Sequence, residues 1–172
     1  MTLLERIVSL LPKPRVIYDR EGGSPYLSRW YLLGNRFDTT GIRIGRSWLP
    51  ISLYLHKFHR SDDDGALHNH PWSWSVAMIL SGGYREERRV GDQVVVRYLL
   101  PFSINIIRGA DYHRVDLPGS ESWSLFLAGP RVSTWHFWDR NTKMRAHWRA
   151  FVEWRRGQRQ DAGWESDRRE AA

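Results

Sequence analysis

The feature that most constrains this chain is a succession of short apolar or alternating runs between residues 15 and 129. They are RVIYD, RWYLLG, ISLYLHKF, SVAMILSGGY, QVVVRYLL, SINIIRG, HRVDL and SWSLFLAG, divided by clusters such as EGGSP, SDDDG, VGDQ and LPGSE. Runs of this length, rich in Val, Ile, Tyr and Phe and closed by Gly, Pro, Asp or Ser, read as β-strands. At spacings of roughly 8–12 residues they leave no room for helical crossovers, so the pattern selects an antiparallel sandwich or barrel over βαβ units. Ahead of them, TLLERIVSL places Leu3, Leu4, Ile7, Val8 and Leu10 near helical spacing behind Thr2, with Glu5 three residues on as in a capping box. Pro12 and Pro14 stop that helix. Beyond residue 138, Met144, Trp148, Phe151 and Val152 fit one face of a second helix. The expected organisation is an N-terminal helix and linker over 1–15, an all-β barrel over 16–138, a helical extension over 139–160 and a flexible polar tail over 161–172.

At 172 residues the chain fits one domain with a real core. It has no apolar run of about 18 residues and no secretory leader, so a cytoplasmic protein without a membrane span is expected. Zero cysteines exclude disulfides, thiolate chemistry, zinc–thiolate sites and iron–sulfur clusters, which leaves His, Asp and Glu as metal ligands. The net charge of +7 points to an anionic partner, nucleic acid or a phosphorylated metabolite. Much of that excess is local, in Arg85, Arg88 and Arg89 and in the arginines from Arg145 to Arg169, and solvated arginines explain such runs more often than nucleic acid does. Ten tryptophans are spread along the chain and read mostly as core and wall.

Chemistry concentrates in LHNHPW, residues 67 to 72. On a strand, His68 and His70 project to the same side and can chelate one ion. An apolar strand and a Gly-Gly turn follow, and about thirty residues later IIRGADYHRV closes a second apolar strand at Gly109, with His113 just beyond. Laid side by side in an antiparallel barrel, these strands bring a third imidazole to the first two.

These residues resemble the cupin superfamily, whose first motif is G-x5-H-x-H-x3,4-E-x6-G and whose second is P-x-G-x2-H-x3-N. The resemblance covers roughly residues 50 to 130 and implies a cupin-type antiparallel β-barrel. His70 to Gly82 keeps the family spacing, but Ser75 stands at the glutamate position. Ile107 replaces the proline, the gap from Gly109 to His113 is one residue longer, Leu117 replaces the asparagine, and Gly65 is nearer His68 than the motif asks. The ligand set so implied is His68, His70 and His113 without a carboxylate, which resembles the cysteine dioxygenase type of thiol dioxygenase. That likeness implies Fe(II) with positions open to a small polar substrate and to dioxygen, although Zn, Ni or Mn would suit the same imidazoles. It also implies a phenol near the metal, from Tyr84, Tyr98 or Tyr112, with Tyr112 the catalytic candidate. The stretch from Leu55 to Tyr84, with AGPRVSTWHFW, is similar to a group of cupin-like proteins of bacteria and phages for which no reaction is implied. Pairing into a homodimer is a further expectation from the resemblance.

Other residues compete for roles. His56 is the more plausible accessory ligand of the His56/His59 pair, which face opposite ways on a strand. Asp62, Asp63 and Asp64 lie near enough in sequence to replace the missing carboxylate or to orient a ligand imidazole; Asp64 is the catalytic candidate among them, and a solvated turn is the plainer reading. Asp111 and Asp116 have similar potential beside His113. Trp72 and Trp74 line a pocket or pack the barrel, Arg114 faces away from His113, and His136 reads as wall. Besides the dioxygenase, two functions stay open: a sugar or sugar-phosphate isomerase or epimerase, which needs a carboxylate base, and a non-catalytic barrel binding a ligand or nucleic acid.

Overall fold

The computed structural model describes residues 3–18, 23–37, 42–44, 48–62, 65–155 and 157. A helix α1, Leu3–Ser9, leads into strands β1 (Arg15–Tyr18), β2 (Pro25–Leu33), β3 (Arg36–Phe37), β4 (Arg43–Ile44) and β5 (Ser52–Phe58). Then come β6 (Leu67–His68), β7 (Trp74–Ser81), β8 (Tyr84–Val90), β9 (Gln93–Leu99), β10 (Ile104–Arg108), β11 (His113–Asp116) and β12 (Ser122–Ala128). The strands end with β13 (His136–Trp138) and β14 (Arg145–His147), and residues 148–155 form a short helix, α2. One six-stranded sheet runs β1-β2-β5-β12-β7-β10 and the other β14-β13-β6-β11-β8-β9, while β3 and β4 pair apart. Every strand pairing is antiparallel. The all-β, cupin-type barrel expected from the sequence is therefore the architecture of the chain. No helix among the described residues is long and apolar enough to cross a membrane.

Period-two alternation sets what faces inward. In β10, Asn105 and Ile107 are buried while Ile104, Ile106 and Arg108 are exposed. The two sheets meet over Ile79, Tyr84, Leu99 and Val115 at one end and over Tyr54, Trp72, Ala77, Ile107, Phe126 and Ala128 at the other. Helix α1 covers the outer face of the first sheet, laying Leu4 and Val8 on Trp30, Leu55 and Trp123. Trp30 and Trp123 stack at 5.5 Å. Glu5 and Arg6 sit where the helix dipole favours them, in the first and last turns; Thr2, the expected cap, lies outside the described residues.

The segment after residue 138, read from its periodicity as helical, first makes the β13–β14 hairpin. Asp139 reverses the chain: its Oδ1 accepts hydrogen bonds from the backbone N–H groups of Asn141 and Thr142, at 2.9 and 2.8 Å, and Lys143 takes a left-handed φ of 59°. Only then does α2 begin, stacking Phe151 on Phe137 at 4.7 Å.

Candidate metal centre

LHNHPW is a strand for only two residues, yet the segment is fixed on both sides. His68 lies directly opposite His113 of β11 and opposite Phe137 of β13. Asn69, buried and pointing the other way, accepts from the backbone N–H of His136 at 2.7 Å and donates to the carbonyl of Gly109 at 3.0 Å. Its own N–H donates to the His136 carbonyl at 3.1 Å. These bonds hold the backbone extended past the end of β6, so His70 stays on the side of His68, their rings parallel within 4° at 5.5 Å. Gly109 makes this approach possible, because a Cβ there would stand 2.4 Å from the Trp72 carbonyl oxygen.

The three imidazoles converge, each offering one nitrogen, and these nitrogens all lie within 4.8 Å of one another. The Nε2 atoms of His70 and His113 are 2.9 Å apart. Two metal–nitrogen bonds of about 2.1 Å at about 90° would set nitrogens roughly 3.0 Å apart, so this spacing is that of co-ligands.

The outer nitrogens decide the protonation. His113 Nδ1 meets Glu86 Oε1 at 2.8 Å, so the proton belongs on Nδ1 and the Nε2 lone pair points into the cluster. Glu86 is fully buried on β8 and also accepts from Asn105 Nδ2 at 2.8 Å, from Arg88 at 3.0 Å and from Arg97. Burial pushes its carboxyl up, but the hydrogen bonds from His113, Arg97 and Asn105 outweigh burial and hold it well below the usual carboxylate range. Asp62 Oδ2 lies 3.7 Å from His68 Nδ1 and accepts from the Val115 N–H at 2.7 Å, and Asp62 Oδ1 accepts from the Tyr26 hydroxyl. Burial, then the neighbouring imidazoles and Arg29, hold His70 well below the ordinary histidine value, and its Nδ1 is buried without a hydrogen-bond partner among the described residues. Three convergent imidazoles, two of them facing a carboxylate at the outer nitrogen, fit a borderline divalent metal.

The remaining candidates separate clearly. His56 does not join the triad; its Nε2 accepts from Arg29 Nε at 2.8 Å. His59 Nε2 bonds the Ser28 hydroxyl at 2.8 Å, and His136 Nδ1 the Thr134 carbonyl at 3.1 Å. Tyr112 packs with Leu67 and Trp138, on the face of its sheet opposite His68 and His113, away from the imidazoles. Tyr84 is buried and pushed up to about 12 by burial, its oxygen accepting from Asn105, and Tyr98 is exposed. Asp63 and Asp64 lie outside the described residues. Asp111 bonds the Arg108 N–H at 2.9 Å, and Asp116 faces Arg85 at 3.6 Å. Trp72 is buried 5.7 Å from His70, whereas Trp74 is half-exposed on the outer face against Gly129. Ser75, at the position where the family motif has glutamate, is fully buried.

Sequence reasoning missed Glu86, Asn69 and Arg29. For Glu86 a signal existed: YREERRV alternates Tyr84, Glu86 and Arg88 on one face, but the segment read as a charge run.

Comparison with protein-family models and with curated proteins found no match. Among solved structures, the chain is similar to hydroxypropylphosphonic acid epoxidase from S. wedmorenis, at 9% identity and a TM-score of 0.46, covering 69% of this chain and 58% of that one. It is also similar to a cupin-2 domain from Rhodospirillum rubrum, at 17% identity and a TM-score of 0.47, covering 71% and 73%. A third likeness is to the manganese-containing oxalate decarboxylase of Bacillus subtilis, at 16% identity and a TM-score of 0.48, covering 72% of this chain and 29% of that one. The chain thus spans less than three-fifths of the epoxidase's length.

Proposed function

We propose that the chain is a metal-dependent enzyme, an Fe(II) dioxygenase acting on a small polar substrate. The observation that carries this reading is the ligand set: three convergent imidazoles with no carboxylate among them in the described residues, which leaves positions for substrate and dioxygen. A ferrous ion held there supplies the redox chemistry; zinc, nickel or manganese would fit the same nitrogens. Glu86 keeps the His113 Nε2 lone pair directed inward, and burial keeps His70 neutral and competent as a ligand. Trp72 and Phe126, with ring centroids 5.7 and 5.6 Å from that of His70, form an apolar wall that excludes bulk water. An isomerase would need a free carboxylate base, and both oxygens of Glu86 are already engaged.

The test is metal content by elemental analysis of untagged protein, wild type against His68→Ala and His113→Ala, followed by oxygen-electrode assays on small chelating substrates. Stoichiometric iron, lost in both variants while circular dichroism is unchanged, together with iron-dependent oxygen uptake, is expected. Stoichiometric zinc or nickel without oxygen uptake would remove the dioxygenase and keep the site.

A further inference from the structure

Charge is distributed unevenly over the two outer faces of the barrel. The first sheet turns Trp30, Leu55 and Trp123 outward under α1 and leaves Met78, Ile104 and Ile106 exposed, while its Lys57 is paired with Glu121 at 2.7 Å. The second sheet turns out arginines instead: Arg145 on β14, Arg114 on β11, and Arg85 and Arg89 on β8, with Arg140 and Lys143 added by the β13–β14 turn. The register gathers them on one face. Arg145 lies opposite Trp138, Trp138 opposite Leu67, Arg114 opposite Glu87, and Arg85 between Asp116 and Tyr98. The face crosses six strands, about 24 Å at the usual spacing of neighbouring strands, and includes Tyr98 at its edge, 69% exposed.

The acids on this face do not cancel its charge. Glu87, buried, is shared by Arg85, Arg114 and Arg140, Asp116 faces Arg85, and Asp139 is committed to the backbone of its own turn. Arg89 has only the fully exposed Asp92, 3.6 Å away. No carboxylate among the described residues pairs with Lys143 or Arg145, and both lie against rings. Lys143 Nζ is 5.1 Å from the Trp138 ring centroid, where Arg89 Cζ also stands at 4.7 Å, and Arg145 Cζ is 6.0 Å from that of Tyr112. Lys143 and Arg89 therefore sit within about 10 Å of each other, a distance over which like charges still repel at 0.1 M salt. Covering Trp138 needs only methylene stems, which carry no such cost. The backbone adds a second argument: the φ of 59° at Lys143 is left-handed, a conformation that glycine adopts freely, yet an exposed lysine occupies it.

A flat cationic sheet face with an exposed ring at its edge suits a strand of regularly spaced phosphates, which arginine forks and a lysine hold while a base stacks on the ring. A flat sheet enters neither groove of a duplex, and only an unpaired base can reach Tyr98. A lipid surface would require exposed apolar groups among the cations, whereas the rings beneath them, Trp138 and Tyr112, are buried. We propose that the outer face of the second sheet binds single-stranded nucleic acid, with phosphates on Arg89, Lys143 and Arg145 and an unpaired base on Tyr98. His68 and His113 point to the opposite side of the same sheet, so this surface is separate from the metal centre and the proposal does not depend on the dioxygenase reading.

The experiment measures fluorescence anisotropy of a labelled oligothymidylate of about 15 nucleotides, within the site sizes of single-strand binders, as salt is raised from about 0.05 to about 0.2 M. The wild type is expected to bind with an affinity that falls with salt, log K against log salt sloping by about −2 for three phosphate contacts. Lys143→Gln and Arg145→Gln are each expected to weaken binding several-fold and to make the slope shallower by about 0.7. Arg108→Gln, which removes the same charge from the exposed outer face of the first sheet, is expected to bind as the wild type does. Tyr98→Ala is expected to lose about tenfold with the slope unchanged, and Tyr98→Phe to keep its affinity. Lys143→Gly is expected to lose affinity without lowering the urea midpoint, and chelator treatment to leave binding as it was. Equal losses in Lys143→Gln and Arg108→Gln would overturn the proposal, because net charge alone would then account for binding. No binding at the lowest salt, tighter binding of a duplex of the same length, or equal binding of polyglutamate or of phosphatidylserine vesicles would overturn it as well.

Discussion

At the scale of single residues, Glu86 is the side chain on which the candidate site most depends without being a ligand in it. Ser75 leaves no carboxylate at the position where the family motif carries one, and Glu86 supplies a carboxylate from a different strand, one shell out, on the far nitrogen of His113. Such outer partners are worth about 10–100-fold in metal affinity. Glu86→Gln is therefore expected to weaken metal binding by about that range in competition with a chelator; unchanged affinity would show that His113 needs no anionic partner. Glu86→Ala is a harsher change, since it leaves the His113 Nδ1–H without its acceptor inside the barrel and takes one acceptor each from Arg88 and Asn105. Breaking a buried pair from one side costs about 3–5 kcal/mol, and a urea titration of the metal-free variant is expected to show a loss of that order. A loss below about 1 kcal/mol would mean that solvent satisfies these groups and that the network is less buried than its geometry indicates.

At the scale of elements, the two residues of β6 are too few to fix two imidazoles, and Asn69 makes up the difference by tying β6 to β13 and to the turn before β11. Removing its side chain leaves a part-buried N–H and a part-buried C=O without that partner, at about 1–3 kcal/mol. Asn69→Ala is expected to lower the urea midpoint accordingly and to weaken metal binding, although Asn69 touches no metal; Asn69→Asp, which keeps the acceptor for the His136 N–H, is expected to recover part of the stability. Wild-type metal affinity in Asn69→Ala would show that the strand pairing alone sets the His70 position. The histidines themselves were legible, because i, i+2 spacing in an extended segment is a one-dimensional signal. Asn69 was not, because its partners lie 67 and 40 residues away. The β13–β14 hairpin was misread for a related reason: Met144, Trp148 and Phe151 are spaced as on a helix, and the turn chemistry of Asp139 decides the local fold.

At the scale of the whole molecule, the all-β barrel followed from strand length and spacing, whereas the polar interior did not, since a chain with net charge +7 gives no hint that Glu86, Arg88 and Arg29 are turned inward. That interior predicts how stability depends on pH. All resolved histidine shifts are downward: His56 most strongly with His70, through burial first, and His59 and His136 less. A group whose folded value lies below its unfolded value stabilises the fold fully above the unfolded value, here about 6.5, and loses that contribution as pH falls, because only the unfolded chain takes up the proton. His56 suits the argument best, being 3% exposed and not a candidate ligand. Each such histidine gives a slope approaching about 1.4 kcal/mol per pH unit below 6.5. The shift at Glu86 is also downward, with the same sign in a lower window, so its contribution is present above about 4.5 and lost on further acidification. Urea midpoints of metal-free protein at pH 7.5, 6.5, 5.5 and 4.0 are therefore expected to be level over the first step, to fall over the second and to fall further over the third. A midpoint unchanged from pH 6.5 to 5.5 would mean that His56 takes up its proton in the folded barrel, and its hydrogen bond from Arg29 would then have to be broken.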